Sequence, residues 1–483
     1  MSKEAAIRTG ESSPPLLFRQ VSPGPGDSNM QFRLLHFWDA RKNVKGGPGI
    51  ILGIELLLID AEVCFHVSFW MSFPLLNRDY LSVRQRQQKA NTMTPFFTTD
   101  ITTDIFARLP AKSAARCRTL SKQWSSILST PDFAELFLTH SSTRPRLLFA
   151  VERNGLWTFF TSPQPQPQSS HSTVVTAEFH TKFDGDVSRY LCSYASGLIL
   201  FPDVWIPSKS DDTNPVVCNP VTGKYATLPY LSIYRKSRAF LGFDPVGKQF
   251  KVLSEDRPFC SQSDHHQVLS LGEGGGEELS WRVKDDGPQY DHCLSEAICI
   301  EGVLYYLAEN FSDPRVVVRF DVRSEEFEFI EAGCFSGEEV AVKLINYKGK
   351  LAGVDWKYLK ADDEKIVLEL SLWVLEDVEM NEWVKSVYVL SEEKIVRRCN
   401  FSVAGMTGGG EIVLAMDYTT KPYYVFFFDP EKNTLRGVEV QGFGDKLEAL
   451  GTRGRVRVFV DYVEDLNVHD GKQLKSSISA PVK

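Results

Sequence analysis

The chain has 483 residues, of which 43% are hydrophobic and 24% charged. It is long enough for two or three domains with a sizeable core, and too apolar to be disordered throughout. A formal net charge of -8 argues against nucleic acid as the main partner. The cysteines, at 64, 117, 192, 218, 260, 293, 299, 334 and 399, are odd in number and form no C-x-x-C pair. They therefore fit reduced thiols better than a disulfide framework or a zinc module.

Residues 1–92 carry no lasting period. They open with ESSPPLLFRQVSPGPGDS, a Ser/Pro/Gly-rich arm expected to be disordered. The apolar run PGIILGIELLLIDAEVCFHVSFWMSFPLL at 48–76 is interrupted by Glu55, Asp60, Glu62 and His66. Each central carboxylate would cost roughly 2.5–3.5 kcal/mol in a bilayer, which largely cancels the apolar gain, so a spanning helix is not expected. Residues 1–92 are read as an extension, with Met93 as the working start.

From 96 to 140 the pattern turns helical. Ile101, Ile105 and Leu109 recur every fourth residue, and Pro110 ends that helix. AKSAARCRTL follows as a basic, Ala-rich helix with Ala114, Cys117 and Leu120 on one side. Ser121 is a candidate cap for a third helix that turns Trp124, Ile127 and Leu128 inward. Pro131 stops it, and a fourth short helix carries Phe133, Leu136 and Phe137. So small a bundle, built around Leu109, Leu120, Trp124 and Ile127, buries little surface alone and calls for a partner.

From Arg146 the helical period gives way to short β-branched and aromatic runs between Gly, Asn-Pro and Asp-Pro turns. A glycine opens an apolar strand at Gly197, Gly247, Gly302, Gly349 and Gly410. A second series, strand–turn–strand with a bulky residue, passes through Leu228, Trp281, Phe327, Trp383 and Leu435. Both series repeat at about fifty residues, the mark of kelch-like propeller blades. Five repeats plus strand-like segments at 146–161 and 454–463 predict an all-β propeller of six or seven blades over 145–466, with RVRVFVDYV at 455–463 closing the ring. A β-sandwich fits the length and period less well. Residues 467–483 read as a disordered tail.

No catalytic constellation emerges. GEGGGEE at 272–278 lacks the Gly-Lys-Ser/Thr of a phosphate loop, and its carboxylates would repel phosphate. Asp264-His265-His266 and Asp291-His292-Cys293 contain metal-ligand residue types, but two adjacent histidines do not share one side of a regular element and no Cys/His ladder supports them. No metal or cofactor is expected. Among loop residues, Tyr234, Arg235 and Trp356 are candidates for target contact.

FTTDITTDIFARLPAKSAARCRTLSKQWSSILSTPDF resembles the F-box of plant F-box proteins, through Asp100-Ile101, Asp104-Ile105-Phe106, Arg108-Leu109-Pro110, Lys112-Ser113 and Leu120-Ser121-Lys122 with Trp124. SSTRPRLLF, SPQPQ, CNPVTGKYATLP and FLGFDPVGKQFKVL resemble the F-box-associated region of the same family, of its third type, in the family's order. The resemblance covers most of 96–465. It implies a small all-α F-box bundle followed by a propeller, with a disordered or unassigned N-terminal extension. It also implies a non-catalytic receptor that docks on a Skp adaptor, and through it a cullin, and holds a protein target for ubiquitin transfer. Phe97, Ile101, Ile105, Leu109, Pro110 and Trp124 would contact the adaptor, with Lys112, Arg116, Arg118 and Lys122 steering toward an acidic partner. The family usually opens with Leu-Pro where this chain has Phe97-Thr98, which removes a rigid stop and lowers the expected adaptor affinity. A receptor of this kind would work in cytoplasm or nucleus, with neither nucleic acid nor membrane as partner. The rival readings are a ligase-independent kelch-like scaffold and a propeller enzyme.

Overall fold

Six sheets form a β-propeller, and five of them each take up one period of the repeat. The computed structural model describes residues 33–42, 50–59 and 64–70 and most of 99–466. The chain divides into two compact units between Leu109 and Pro110.

In the first blade the strand Arg455–Tyr462 is innermost. It pairs antiparallel with Arg146–Arg153, which continues to Leu156–Pro163 and Glu178–Asp184. The C-terminal strand thus closes the ring, as the sequence pattern predicts. Four strands of the second blade are Ser193–Ala195, Leu198–Trp205, Thr213–Cys218 and Tyr225–Thr227; those of the third are Arg238–Asp244, Gln249–Asp256, His265–Leu271 and Arg282–Lys284. The fourth blade runs Ile298–Ile300, Val303–Glu309, Val316–Asp321 and Phe327–Glu331. The fifth runs Val342–Tyr347, Lys350–Lys360, Ile366–Asp377 and Glu382–Leu390. The sixth holds Phe401–Met406, Ile412–Met416, Tyr423–Asp429 and Thr434–Gln441, and a parallel strand, Val174–Thr176, covers its outer edge.

All five glycines of the first series fall at the turn between the innermost and second strands. Glu301-Gly302 and Lys348-Gly349 place both residues at positive φ, 48° and 89° in the first pair and 52° and 89° in the second. This is the turn whose twist matches a tight hairpin, and glycine adopts its second position without strain. Gly247 shares the location but not the turn. There Lys248 takes the left-handed conformation, while the Asp244 carboxylate accepts from the Val246 and Gly247 amides, each at 3.0 Å. The same side-chain turn opens the third-to-fourth connections, where Asn219, Asp321 and Asp429 each accept from two amides.

The bulky markers lie on or beside the fourth strands, and the two tryptophans among them seal one blade to the one before. Trp281 Nε1 donates to the Pro229 carbonyl at 2.9 Å, and Trp383 Nε1 to the Glu331 carbonyl at 2.8 Å. Replacing Trp383 by phenylalanine keeps most of the apolar contact and removes that bond, at an expected cost of about 1 kcal/mol. Trp281→Phe should behave alike. Urea midpoints unchanged in both would show that these bonds contribute nothing.

Apolar residues alternate onto both faces of every blade, and the core is correspondingly divided among the blade interfaces. Leu148, Trp157, Phe201 and Tyr462 pack between the first and second blades, and Leu200, Val217, Leu241 and Val252 between the second and third. Phe240, Leu253, Leu304 and Tyr306 follow between the third and fourth, and Val317, Ile330, Leu344 and Leu351 between the fourth and fifth. The largest cluster joins the fifth and sixth blades to the first. Innermost strands touch in sequence around the ring, and Tyr194 completes the circle against Phe459 and Tyr462, at ring separations of 5.4 and 5.9 Å.

Residues 33–70 differ from the expected disordered extension. Three strands, β1 (Arg33–Lys42), β2 (Ile50–Ile59) and β3 (Cys64–Trp70), form an antiparallel meander. The run IILGIELLLI follows a Gly-Gly-Pro stretch and precedes Asp60, a length and punctuation that suit a strand. The remaining stretches of 1–92, and the expected tail at 467–483, lie outside the described residues. Among the described residues, no helix is long and apolar enough to cross a membrane.

Candidate functional site

Four short helices precede the ring: α1 (Thr99–Ala107), α2 (Ala111–Leu120), α3 (Lys122–Ile127) and α4 (Pro131–Ser142). An exposed fork joins Arg108, one residue past α1, to Asp104 on it, with bonds of 3.0 and 3.2 Å, a pair worth a few tenths of a kcal/mol. The α2 helix starts at the Pro110 carbonyl, which accepts from the Ser113 and Ala114 amides at 2.9 and 3.0 Å. Proline suits this place because it needs no amide hydrogen. Thr130 caps α4, its hydroxyl accepting from the Phe133 amide at 3.2 Å, and Pro131 opens the first turn. Phe133, Phe137 and Ser141 recur every fourth residue on the buried side of α4.

The sequence-predicted contact residues fall as follows. Phe97 lies outside the described residues, and Ile101 sits on α1. Ile105 on α1 and Leu109 just beyond it are half-buried, as are Pro110 and, on α3, Trp124. The expected bundle core differs in part. Ala111, Ala114, Cys117 and Leu128 are buried, while Leu109, Trp124 and Ile127 remain half-exposed. The repeated alanines of α2 permit close approach and leave the larger side chains partly uncovered. Exposed apolar surface of this kind favours a partner.

The basic residues divide. Arg118 and Lys122 are exposed, whereas Lys112 is turned onto the ring. Its Nζ donates to the Phe179 carbonyl at 2.8 Å and stands 5.8 Å from the Phe179 ring centre, which fixes its charge against the first blade. Ala111 donates its amide to Glu464 Oε2 at 2.9 Å, just past the closing strand. On α4, Glu135 meets Lys248 of the third blade at 3.0 Å, both exposed. These three anchors lie at the same end of the blades, the end that carries the innermost-to-second turns.

The buried titratable groups of the ring serve packing. His266 is fully buried, its Nε2 3.3 Å from the Tyr290 hydroxyl, which in turn donates to Tyr306 at 3.0 Å. Burial pushes the nearby Cys293 thiol up to about 12, away from the thiolate that nucleophilic chemistry requires. Burial likewise holds the Cys192 and Cys117 thiols at about 11. Among the described residues, no group of three or more His, Cys, Asp or Glu is placed to hold a metal ion. Tyr234, Arg235 and the Gly-rich 272–278 lie outside the described residues. Trp356 packs against the fifth-to-sixth blade core. Sequence reasoning missed Glu464, because nothing in its local pattern ties it to a helix some 350 residues earlier; only the ring closure does.

Two family models match the chain. The F-box domain covers residues 98–136 and the F-box associated beta propeller domain covers 146–463. The F-box protein At3g57590 of Arabidopsis thaliana is 57% identical over 385 residues, covering 79% of this chain and 93% of that protein. F-box protein At1g47340 of the same plant is 46% identical, covering 78% of this chain and 84% of its own length. F-box protein At2g15640, also from Arabidopsis thaliana, is 44% identical, covering 78% and 95%. Among solved structures, TolB from Acinetobacter baumannii is similar over 71% of this chain and 73% of its own, at 10% identity and a TM-score of 0.37, too loose a likeness to bear on function. With both domains matched in order, and helices followed by a six-bladed ring, the chain belongs to the F-box proteins that carry an F-box-associated β-propeller.

Proposed function

We propose that this protein is the substrate-recognition subunit of a Skp–cullin–F-box ubiquitin ligase, a receptor without chemistry of its own. The observation that carries the reading is the joining, in one chain, of an F-box at 98–136 to a propeller at 146–463. Phe97, Ile101, Ile105, Leu109, Pro110 and Trp124 dock the Skp adaptor, and the cullin follows through it. Half-exposed apolar side chains at Ile105, Leu109 and Trp124 support this assignment, since a second polypeptide would complete their burial. The ring holds a protein target, and the ligase works by proximity, raising the effective concentration of the target's lysines near a charged conjugating enzyme. Such a receptor operates in cytoplasm or nucleus.

Co-purification tests the reading. Wild type should recover adaptor and cullin, and a Leu109→Asp, Pro110→Ala double change should abolish recovery while the ring unfolds at its usual midpoint. A ligase-independent scaffold would recover neither even as wild type, and that result would overturn the proposal.

A further inference from the structure

Glu464 sits where three parts of the molecule meet. It follows the strand Arg455–Tyr462 that closes the ring, and its side chain is only 6% exposed. Oε2 accepts the amide of Ala111, the first residue of α2, which is itself fully buried. Oε1 lies 3.5 Å from Arg146 Nε, at the start of the strand that receives the closing strand, and the same nitrogen donates to Thr161 Oγ1 at 2.9 Å. One carboxylate therefore ties the last strand of the ring, the first strand of the ring and the first turn of α2.

The chemistry favours a firm joint. The opening amides of a helix have no partner within it, and an anion there meets both those amides and the positive end of the helix dipole. A charge-assisted bond made away from water exceeds a neutral one. One residue on, Lys112 adds a second attachment to the outer strand of the same blade through the Phe179 carbonyl and ring. The Glu135–Lys248 pair, with side chains 69% and 61% exposed, adds little.

We propose that Glu464, assisted by Lys112, is a positioning residue that fixes α2 to the closed ring, so that α2 and the target-holding blades turn as one body. The inference rests on the ligase reading for its purpose, because proximity catalysis rewards a fixed distance between the docking helices and the target. The joint itself stands on geometry alone. It also links two events: α2 gains its anchor only when the closing strand is seated.

Hydrogen exchange on the full chain tests the joint. Glu464→Ala is expected to speed exchange of the Ala111–Cys117 amides roughly tenfold or more, with Val252 and Val318 in the third and fourth blades unchanged. Lys112→Met should give a smaller rise confined to α2 and leaves ring closure untouched, so it decides the matter should Glu464→Ala fail to fold. Exchange in α2 unchanged in both variants overturns the proposal. So does a ring-wide rise in Glu464→Ala with Lys112→Met silent, for then Glu464 only closes the ring. In the assembled ligase, Glu464→Ala should still recover adaptor but transfer ubiquitin to the receptor's own lysines several-fold more slowly. Transfer at the wild-type rate would overturn the positioning role. Failure of wild type to recover adaptor would sink the ligase reading and leave the exchange result intact.

Discussion

Replacing Glu296 by alanine is expected to lower the stability of the ring by about 2–3 kcal/mol, less than the ~3–5 kcal/mol lost on breaking a fully buried ion pair because these charges are only partly buried. Glu296 lies just before the innermost strand of the fourth blade. Its carboxylate accepts from Lys343 of the fifth blade at 2.6 Å and from Arg457 on the closing strand of the first. In a ring of six, the first and fourth blades face each other, so the Arg457–Glu296 bond bridges the centre. The three side chains are 18%, 30% and 27% exposed, in the order Glu296, Lys343, Arg457, and solvent screens them only in part. Alanine would leave two cations facing each other in that space. Glu296→Gln keeps an acceptor and should cost less. Losing either cation alone leaves a matched pair and should cost less still.

The same cluster sets an acid limit. Burial by itself would raise the Glu296 pKa, but Lys343 and Arg457 outweigh it and hold the carboxyl below its ordinary value. A carboxyl depressed in the folded state stabilises fully above its unfolded pKa, and that contribution is lost as pH falls through the folded value. Stability measured from neutral into acid should therefore fall less steeply in Glu296→Gln than in wild type. Should Glu296→Ala unfold within about 1 kcal/mol of wild type, the three charges are a screened surface cluster and the bridge contributes nothing to stability.

That trio shows where sequence reading stops. Lys343 stands 47 residues from Glu296, and Arg457 stands 161 from it. No local period joins them, and each looks like an ordinary surface charge. The blades were legible because five of them carry a glycine at the same turn and a bulky residue on or beside the fourth strand. Glycines at 302 and 349 satisfy a conformation that other residues resist, and fourth-strand residues such as Trp281 and Trp383 must seal a neighbour. The count stayed at six or seven because the first blade is split between chain ends. Its innermost strand comes last, so it has no innermost-to-second turn and adds no glycine to the series. The F-box residues were readable only as a motif, since helical spacing alone does not distinguish Trp124 covered by its own chain from Trp124 awaiting a partner. The strands at 33–70 carry no clear alternation, because IILGIELLLI is apolar at nearly every position, and a run of that kind does not distinguish strand from helix.

Ending the chain after Gly454 is expected to abolish cooperative unfolding. The strand removed pairs with 146–153 from Arg455↔Glu152 to Tyr462↔Arg146, and its Val456, Val458 and Tyr462 are buried in two different blade interfaces. Those three side chains alone contribute roughly 5–9 kcal/mol of burial, comparable to the whole stability of an ordinary domain, about 5–15 kcal/mol. The loss does not stop there. Leu147, Leu148, Phe149 and Ala150, all fully buried, would sit on an open strand edge, the arrangement most prone to pair with another chain. The truncated protein should elute as aggregate and lose its near-ultraviolet circular dichroism. A peptide spanning 455–466, added in trans during refolding, should restore both signals, because what is missing is a strand with a defined seat rather than a general gain of apolar area. Val458→Asp, which keeps the chain length and spoils only the seat, should reproduce part of the defect. A truncated chain that melts at the wild-type midpoint would mean that the first blade is complete without its innermost strand. The ring would then be held shut by the remaining blade interfaces alone.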